Sequence, residues 1–264
     1  LGELEGAIRE GKAQLGGEPF IEENKGHFWR DVLTRPYLRA RAEKAEILFL
    51  QGILPEAVGE YEGILELNPN DNQGVRDFLL ASYLELGHTS KARELVSRYP
   101  KDLGAVFEWG RLLTDLIEGK KENLVYLLTM ARFRHPEAEL GLFPPGDSGI
   151  PEPRTPEPIP LCFERDTAEE AYYACRVLGR ASRRHGFNGE KLEALEAECR
   201  RLGLVPGREK TCTCRLRADL KGAIPPIWRS FEVPGHATLE DLDHLLQEYL
   251  GWSREGEYHF AVEG

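Results

Sequence analysis

Apolar residues recur every three or four positions over most of the first 200 residues, and this spacing predicts amphipathic helices. Beyond the stretch LVPGREK at residues 204–210, the period changes from 3.6 to two, which predicts strands. The apolar positions of the first predicted strand are Cys212, Cys214, Leu216 and Leu220. A second strand is predicted at IWRSFEV, where Ile227, Phe231 and Val233 share one face. We therefore expect a mainly α protein, with a helical part at residues 1–204 and a small α/β part at residues 208–264.

Two stretches of the helical part repeat each other at a spacing of 35 residues. The first contains, in order, Gly52, Ala57, Tyr61, Ile64 and Pro69, and the second contains Gly87, Ala92, Val96 and Tyr99. In each copy a glycine is expected to end one helix, because it adopts positive φ without steric cost. The following alanine is expected where the next helix approaches the first most closely. A looser third copy is indicated where Ala131 and Pro136 keep the five-residue spacing of Ile64 and Pro69.

This pattern resembles the tetratricopeptide repeat, a helix–turn–helix unit of about 34 residues. The resemblance implies a tetratricopeptide-like α-solenoid, in which each helix pair covers the apolar face of the next. The run GHFW…TRPYLRAR…LNPNDNQGVR is also similar to bacterial proteins related to the suppressor-of-tumorigenicity-7 family, over roughly residues 18–200. That similarity implies no particular chemistry. Within the run, Asn70 or Asp71 is expected to cap the next helix.

Residues 143–160 hold seven prolines, which exclude a helix or a central strand. We interpret them as an excursion from the helical part rather than a linker, because two further helical patterns follow. Asp166 or Thr167 is expected to cap the first of these helices. The second places Leu192, Leu195, Cys199 and Leu202 on one face. This helix pair is expected to close the end of the solenoid.

The C-terminal segment has its own signature. Pro225 and Pro226 belong at a strand start or a sheet edge, since neither can donate a ladder hydrogen bond. Thr238 and Asp241 predict a helix start, and Gly251 predicts its end. The order IPPIWR…VP…TL..L…L…GW closely resembles the plasmid ORF-3-like family, also described as a passenger protein of insertion sequences. The resemblance implies an incomplete β-β-α-β module, with a third strand at EYHFAVEG. A fragment of about 55 residues would be marginally stable alone, so we expect it to lean on the helical part or on a second copy.

Composition narrows the class of protein. A content of 41% hydrophobic and 30% charged residues is typical of a water-soluble globular chain. No run of about 18 apolar residues is present, so we expect no membrane partner. The first residues lack the pattern of a secretory signal, and the five cysteines include no CxxC pair. We therefore expect free thiols and a cytoplasmic location.

Catalytic and metal-binding motifs are weak. No GxSxG nucleophile elbow, GxxxxGK[ST] loop or GxGxxG loop occurs, so we expect a protein that is not an enzyme. Cys212 and Cys214, with His236, His244 and His259 nearby, make only half of a zinc-site pattern. We interpret these cysteines as core residues and expect neither a metal nor another cofactor.

The aromatic and basic run FWRDVLTRPYLRAR is open to two interpretations: packing at the head of the solenoid, or a ligand-facing patch. In tetratricopeptide proteins the first helix of each pair lines a groove that grips extended peptides. The resemblance thus implies a partner-binding groove formed by Arg35, Tyr37, Arg39, Glu46, Arg76 and Asp77. The predicted function is that of a scaffold that binds a protein or peptide partner.

An alternative function follows from the uneven charge. Residues 171–230 carry 13 Lys and Arg against 6 Asp and Glu, in a chain whose net charge is −11. Clustered arginines can neutralise nucleic-acid phosphates. The candidate contacts are Arg183, Arg184, Arg215, Arg217 and Arg229. The protein would then be a nucleic-acid-associated accessory protein of a mobile element. The acidic total disfavours this alternative, because the arginines can equally face the acidic remainder of the chain or an acidic partner.

Overall fold

A computed structural model describes residues 1–121, 123–145, 167–201, 213–220 and 227–234, together with Leu242 and Leu246. Over these residues the protein is mainly helical, as predicted. None of the helices in the described ranges is long and apolar enough to cross a lipid bilayer.

The helices and strands follow one another in the order that the hydrophobic pattern indicates. The α-helices are α1 (Gly2–Gln14), α2 (Gly17–Glu23), α3 (Arg35–Gln51), α4 (Leu54–Leu67), α5 (Val75–Leu86), α6 (Thr89–Arg98), α7 (Ala105–Glu118), α8 (Leu124–Arg134), α9 (Glu139–Leu142), α10 (Ala168–Arg184) and α11 (Gly189–Arg201). Short 3-10 helices lie at Phe28–Arg30, Val32–Thr34 and Pro136–Ala138. The strands are β1 (Thr213–Leu220) and β2 (Ile227–Pro234).

Three helical hairpins, α3–α4, α5–α6 and α7–α8, share one turn chemistry. Their first helices end at Gly52, Gly87 and Gly119, with φ of +79°, +74° and +69°. This left-handed conformation costs a glycine nothing and would strain any residue with a Cβ atom. The prediction that Gly52 and Gly87 end the first helices of two hairpins is confirmed. Ala57 and Ala92, just after these turns, are fully buried.

The hairpins pack in sequence order. Helix α4 contacts α5, and α6 contacts α7, while the first helices α3, α5 and α7 lie next to one another. Helix α1 packs against α3 on its remaining side. The first helices therefore form a layer of their own, the inner layer, whose outward face decides where a partner or another helix can bind.

Helix α10 covers much of this inner layer. The Thr167 hydroxyl caps α10 by accepting a hydrogen bond from the Glu170 amide at 3.3 Å, which confirms one of the two predicted caps. The sequence predicts that α10 and α11 close the end of the solenoid; α10 packs against α9 and Pro136–Ala138, which follow the third hairpin, and it also lies across α5 and α7. Its buried side includes Ala171, Ala174 and Ala181, whose small size permits the close approach. Long-range packing of this kind leaves no local trace in the sequence.

The two strands pair antiparallel, and the predicted apolar positions of one lie opposite those of the other. Cys214 is paired with Val233, Leu216 with Phe231 and Leu220 with Ile227. Val233 is buried against Met130 of α8, in a small apolar cluster with Tyr126 and Leu242. The strand pair thus leans on the helical part of the same chain, one of the two possibilities that the sequence leaves open.

Several predicted features lie outside the described residues. They are most of the proline-rich stretch 143–160, the boundary at 204–210, Leu202, the helix starting at Thr238 apart from Leu242 and Leu246, and the third strand at 257–264.

Candidate functional site

One face of α3 is left open by the described elements around it. The exposed residues of this face lie three or four positions apart, as one helix side requires. They are Pro36, Arg39, Glu43, Glu46 and Leu50. Leu50 is 54% exposed, which is a large fraction for a leucine side chain. We call this set the α3 face. It combines one cation, two carboxylates and an apolar end.

The predicted groove residues at the start of α3 have different surroundings. Arg35 donates its Nε hydrogen to the Trp29 carbonyl oxygen at 3.1 Å, and its guanidinium lies 4.9 Å from the centre of the Trp29 ring. Tyr37 is buried, with its ring 6.2 Å from that of Phe28. Both residues therefore hold the head of the helix together. Arg39 is exposed and has no hydrogen bond or ion pair to any residue of the described ranges.

Arg76, at the start of α5, is engaged within the protein. Its Nε donates to Asp102 Oδ2 at 2.6 Å, and its Nη1 lies 3.6 Å from Asp71 Oδ2. The guanidinium also lies 5.0 Å from the centre of the Tyr99 ring. Asp71 accepts hydrogen bonds from the Val75 and Arg76 amides, so it caps the start of α5 as one of the two predicted alternatives. Arg76 thus fastens two loops and is not free to bind a partner.

Asp77, the next residue on α5, lies under α10. Tyr173 of α10 lies near its carboxyl, since each of the two groups shifts the pKa of the other. Burial, followed by the negative charge of Asp102, raises the pKa of Asp77 to about 7. Glu46 of the α3 face is close enough for its charge to contribute to the raised pKa of Tyr173, of which burial is the main cause. Asp77 and Glu46 therefore both act electrostatically on Tyr173, whereas Arg35 and Tyr37 pack at the start of α3.

Aromatic residues that the sequence did not identify as functional complete this region. The Phe78 ring contacts three others, with centroid distances of 5.3 Å to Phe49, 6.0 Å to Tyr61 and 6.1 Å to Tyr173. Tyr61 enters the repeat pattern only as a core position. Tyr173 could not be found from the sequence, because its partners lie nearly 100 residues earlier in the chain.

The arginines of the alternative function are divided among several surfaces. Arg183 and Arg184 are exposed at the end of α10, and Arg217 is exposed on β1. Arg215 is paired with Glu232, and Arg229 is paired with Ala218. The candidates therefore belong to two separate parts of the described chain, the end of α10 and the β1–β2 ladder.

The described residues offer little support for a metal site or for a nucleophilic cysteine. Among them, no three His, Cys, Asp or Glu side chains are placed to hold a metal ion. Cys212 and the three histidines considered with it lie outside the described ranges. Cys175 is buried, and burial raises its thiol pKa to about 11, so it remains protonated at neutral pH.

Comparisons with known proteins bear on the C-terminal segment. Searches of curated proteins and of solved structures found no match to the chain. Residues 213–264, which begin at β1, match the family described as plasmid pRiA4b ORF-3-like protein.

Proposed function

We propose that this protein is a non-catalytic, cytoplasmic scaffold that binds a protein or peptide partner. In this proposal the three hairpins are tetratricopeptide-like repeats of the bacterial suppressor-of-tumorigenicity-7-like type. They form an α-solenoid followed by a β-β-α-β module. The glycine-ended first helices and the sequence-order packing of the hairpins support the repeat assignment.

The proposal rests mainly on one contrast within the inner layer. The described elements leave the α3 face open, whereas α10 covers α5 and α7. Helix α10 occupies the outward side of α5 and α7, where a peptide would lie in an uncovered groove. The same layer at α3 exposes Arg39, Glu43 and Leu50. A partner that follows this face meets charges of both signs and one apolar anchor. The binding site is thus centred on Arg39 and Glu46, while Arg76 serves the fold.

Site-specific photo-crosslinking in cells tests this proposal. A photoreactive residue at Arg39 or Glu43 should capture the same partner, because both lie on the α3 face. The same residue at Ser97, exposed on the second helix of a different hairpin, is the matched control. The partner, once identified, should bind the purified protein, and Arg39→Glu should weaken binding about tenfold or more, as expected when a charged contact is reversed. Equal capture at Ser97, or unchanged affinity in Arg39→Glu, contradicts the proposal.

Nucleic-acid binding remains the second candidate because of one observation. Arg183 and Arg184, with Arg176 about two turns earlier on α10, are exposed and form no ion pair with the described residues. This arrangement differs from that of Arg180, which donates to the Phe49 carbonyl oxygen and to Glu85. Three engaged arginines predict that log K falls with log salt with a slope of about −3 on duplex DNA. We expect no such binding at physiological salt. A slope that disappears in a triple Arg→Gln variant would favour the second candidate.

A further inference from the structure

Two aliphatic side chains extend the α3 face beyond its N-terminal end. Val32 is 65% exposed and Leu33 is 76% exposed, in a 3-10 helix that runs directly into α3. Hydrogen bonds fix this segment, since the Leu33 amide donates to Asp31 Oδ1 at 2.9 Å and the Thr34 hydroxyl donates to the Asp31 carbonyl oxygen at 2.8 Å. The fold therefore holds two large apolar side chains in water at a defined place, where their burial by another molecule would be favourable.

The outward residues of this region have a symmetric spacing. From Val32 onward they follow one another at intervals of four, three, four, three and four positions. They are Val32, Pro36, Arg39, Glu43, Glu46 and Leu50, all exposed, and we call them the α3 strip. Such intervals keep residues on one side of a helix, and at a rise of 1.5 Å per residue the strip is about 27 Å long. Because the intervals read the same in both directions, a second copy laid antiparallel meets the same series of positions.

The side chains also match in the antiparallel arrangement. Val32 of one copy lies opposite Leu50 of the other, which gives an apolar pair at each end of the strip, with Leu33 beside it. Arg39 of one copy lies opposite Glu43 of the other, which gives two pairs of opposite charge near the centre. A two-fold axis produces each of these pairs twice. The α3 strip is thus complementary to itself in polarity and in charge.

A parallel arrangement of two strips is unfavourable by comparison. It sets every residue opposite its own copy, so Arg39 faces Arg39, and Glu43 and Glu46 each face a second glutamate. Like charges placed opposite each other across an interface repel. In the antiparallel arrangement Glu46 instead lies opposite Pro36, and no two like charges are directly opposed. Charge therefore selects the antiparallel direction.

We propose that the α3 strip is a self-association surface, on which a second copy of this chain packs its own α3 antiparallel about a two-fold axis. This assignment rests on the proposed function, since it names the partner of the same face. The apolar ends supply affinity because they lose contact with water, whereas the solvent-exposed Arg39–Glu43 pairs contribute little and mainly set the direction. One helix face buries less than about 1,200 Å², so we expect a dimer that dissociates on dilution.

Analytical ultracentrifugation of the purified full chain tests the proposal. Over a concentration series from about 1 µM to about 200 µM, the average mass should rise from that of a monomer toward twice that value. Leu50→Ser should weaken self-association about tenfold or more, because it removes an apolar contact at both ends of the interface. Leu140→Ser is the matched control: Leu140 is a leucine of α9 that is 68% exposed, and its replacement should leave self-association unchanged.

Exchange of the central charges identifies the arrangement. Arg39→Glu sets two carboxylates opposite each other, and Glu43→Arg sets two guanidinium groups opposite each other, so each change alone should weaken the dimer about tenfold. The double variant Arg39→Glu/Glu43→Arg re-creates opposite charges in both pairs and should restore it. A different protein bound to this face keeps its own charges, so the double variant would not restore its binding. Far-ultraviolet circular dichroism and thermal unfolding should be nearly unchanged in all three variants, because both residues are exposed.

Three results overturn self-association through the α3 strip. They are a protein that stays monomeric throughout the series, a dimer that the charge exchange does not restore, and equal weakening by Leu50→Ser and Leu140→Ser. Failure here is distinct from failure of the proposed function. A monomer whose photoreactive residue at Arg39 captures a different protein contradicts self-association alone. Equal capture at Ser97, together with a dimer that the charge exchange restores, contradicts the scaffold function alone.

Discussion

The packing of α5 against α7 can be tested with a single methyl group at Gly110. A Cβ atom there would lie 2.7 Å from Leu80 Cδ2 and 3.4 Å from Leu80 Cγ. Carbon atoms do not approach to 2.7 Å without repulsion, and Leu80 is fully buried, so it has little room to turn away. Overpacking of this kind costs about 1–3 kcal/mol.

The Gly110→Ala change also has a favourable component, which a second variant measures. Alanine is about 1 kcal/mol better than glycine inside a helix. A Cβ atom added at Gly59, which is exposed on α4, would meet no neighbouring atom within 4 Å, so Gly59→Ala should show this gain alone. The two variants should therefore differ in free energy of unfolding by about 1–3 kcal/mol, with Gly110→Ala the less stable.

Urea unfolding followed by far-ultraviolet circular dichroism measures this difference. A double-mutant cycle with Leu80→Ala identifies the contact, since removing the leucine should make Gly110→Ala less costly. Equal stabilisation by Gly110→Ala and Gly59→Ala would refute the close approach of α7 to α5.

Three further predictions concern other parts of the fold. Ala57→Trp should overpack the start of α4, where Ala57 is fully buried, and lower the free energy of unfolding by about 1–3 kcal/mol or more; unchanged thermal stability would argue against the repeat assignment. Arg132 of α8 is buried between Glu139 and Glu196, so Arg132→Met should destabilise the protein by about 3–5 kcal/mol in urea unfolding, and a near-neutral result would mean that the network is not formed. The pKa of Asp77 is raised from 3.8 to about 7, so the folded protein holds a proton that the unfolded chain has released between these values. Asp77 should then contribute a fall in the free energy of unfolding, of at most about 1.4 kcal/mol per unit, as pH rises from about 4 to about 7, and Asp77→Asn should remove this contribution in pH-dependent urea titrations.

Local features of the fold were predictable because their causes lie within a few residues. Gly52 and Gly87 end helices through a backbone conformation that depends on the missing Cβ atom alone. Thr167 and Asp71 act as caps by hydrogen-bonding amides a few positions away. The alternation in β1 and β2 predicts which residues share a face, because the period of a strand is two, and the two predicted apolar sets lie opposite each other in the ladder.

The position of α10 could not be predicted in this way. Its amphipathic pattern shows that one side is buried but does not say against what, and a helix at the end of the chain of repeats satisfies the pattern equally well. Only the tertiary structure shows that α10 covers α5 and α7. This placement removes Asp77 from the open groove that the repeat register implies, while Arg76 is engaged by ion pairs to Asp102 and Asp71.

The residues of the candidate site were likewise predictable from the sequence only in part. The resemblance to the repeat family implied a groove that includes Arg39 and Glu46 together with Arg35 and Tyr37, and the structure shows the first two exposed on α3 and the other two packed at its start. That the rings of Tyr61, Phe78 and Tyr173 pack together depends on contacts between three helices, α4, α5 and α10. Such contacts follow from how whole faces fit together, and neither the spacing nor the charge of any single segment encodes them.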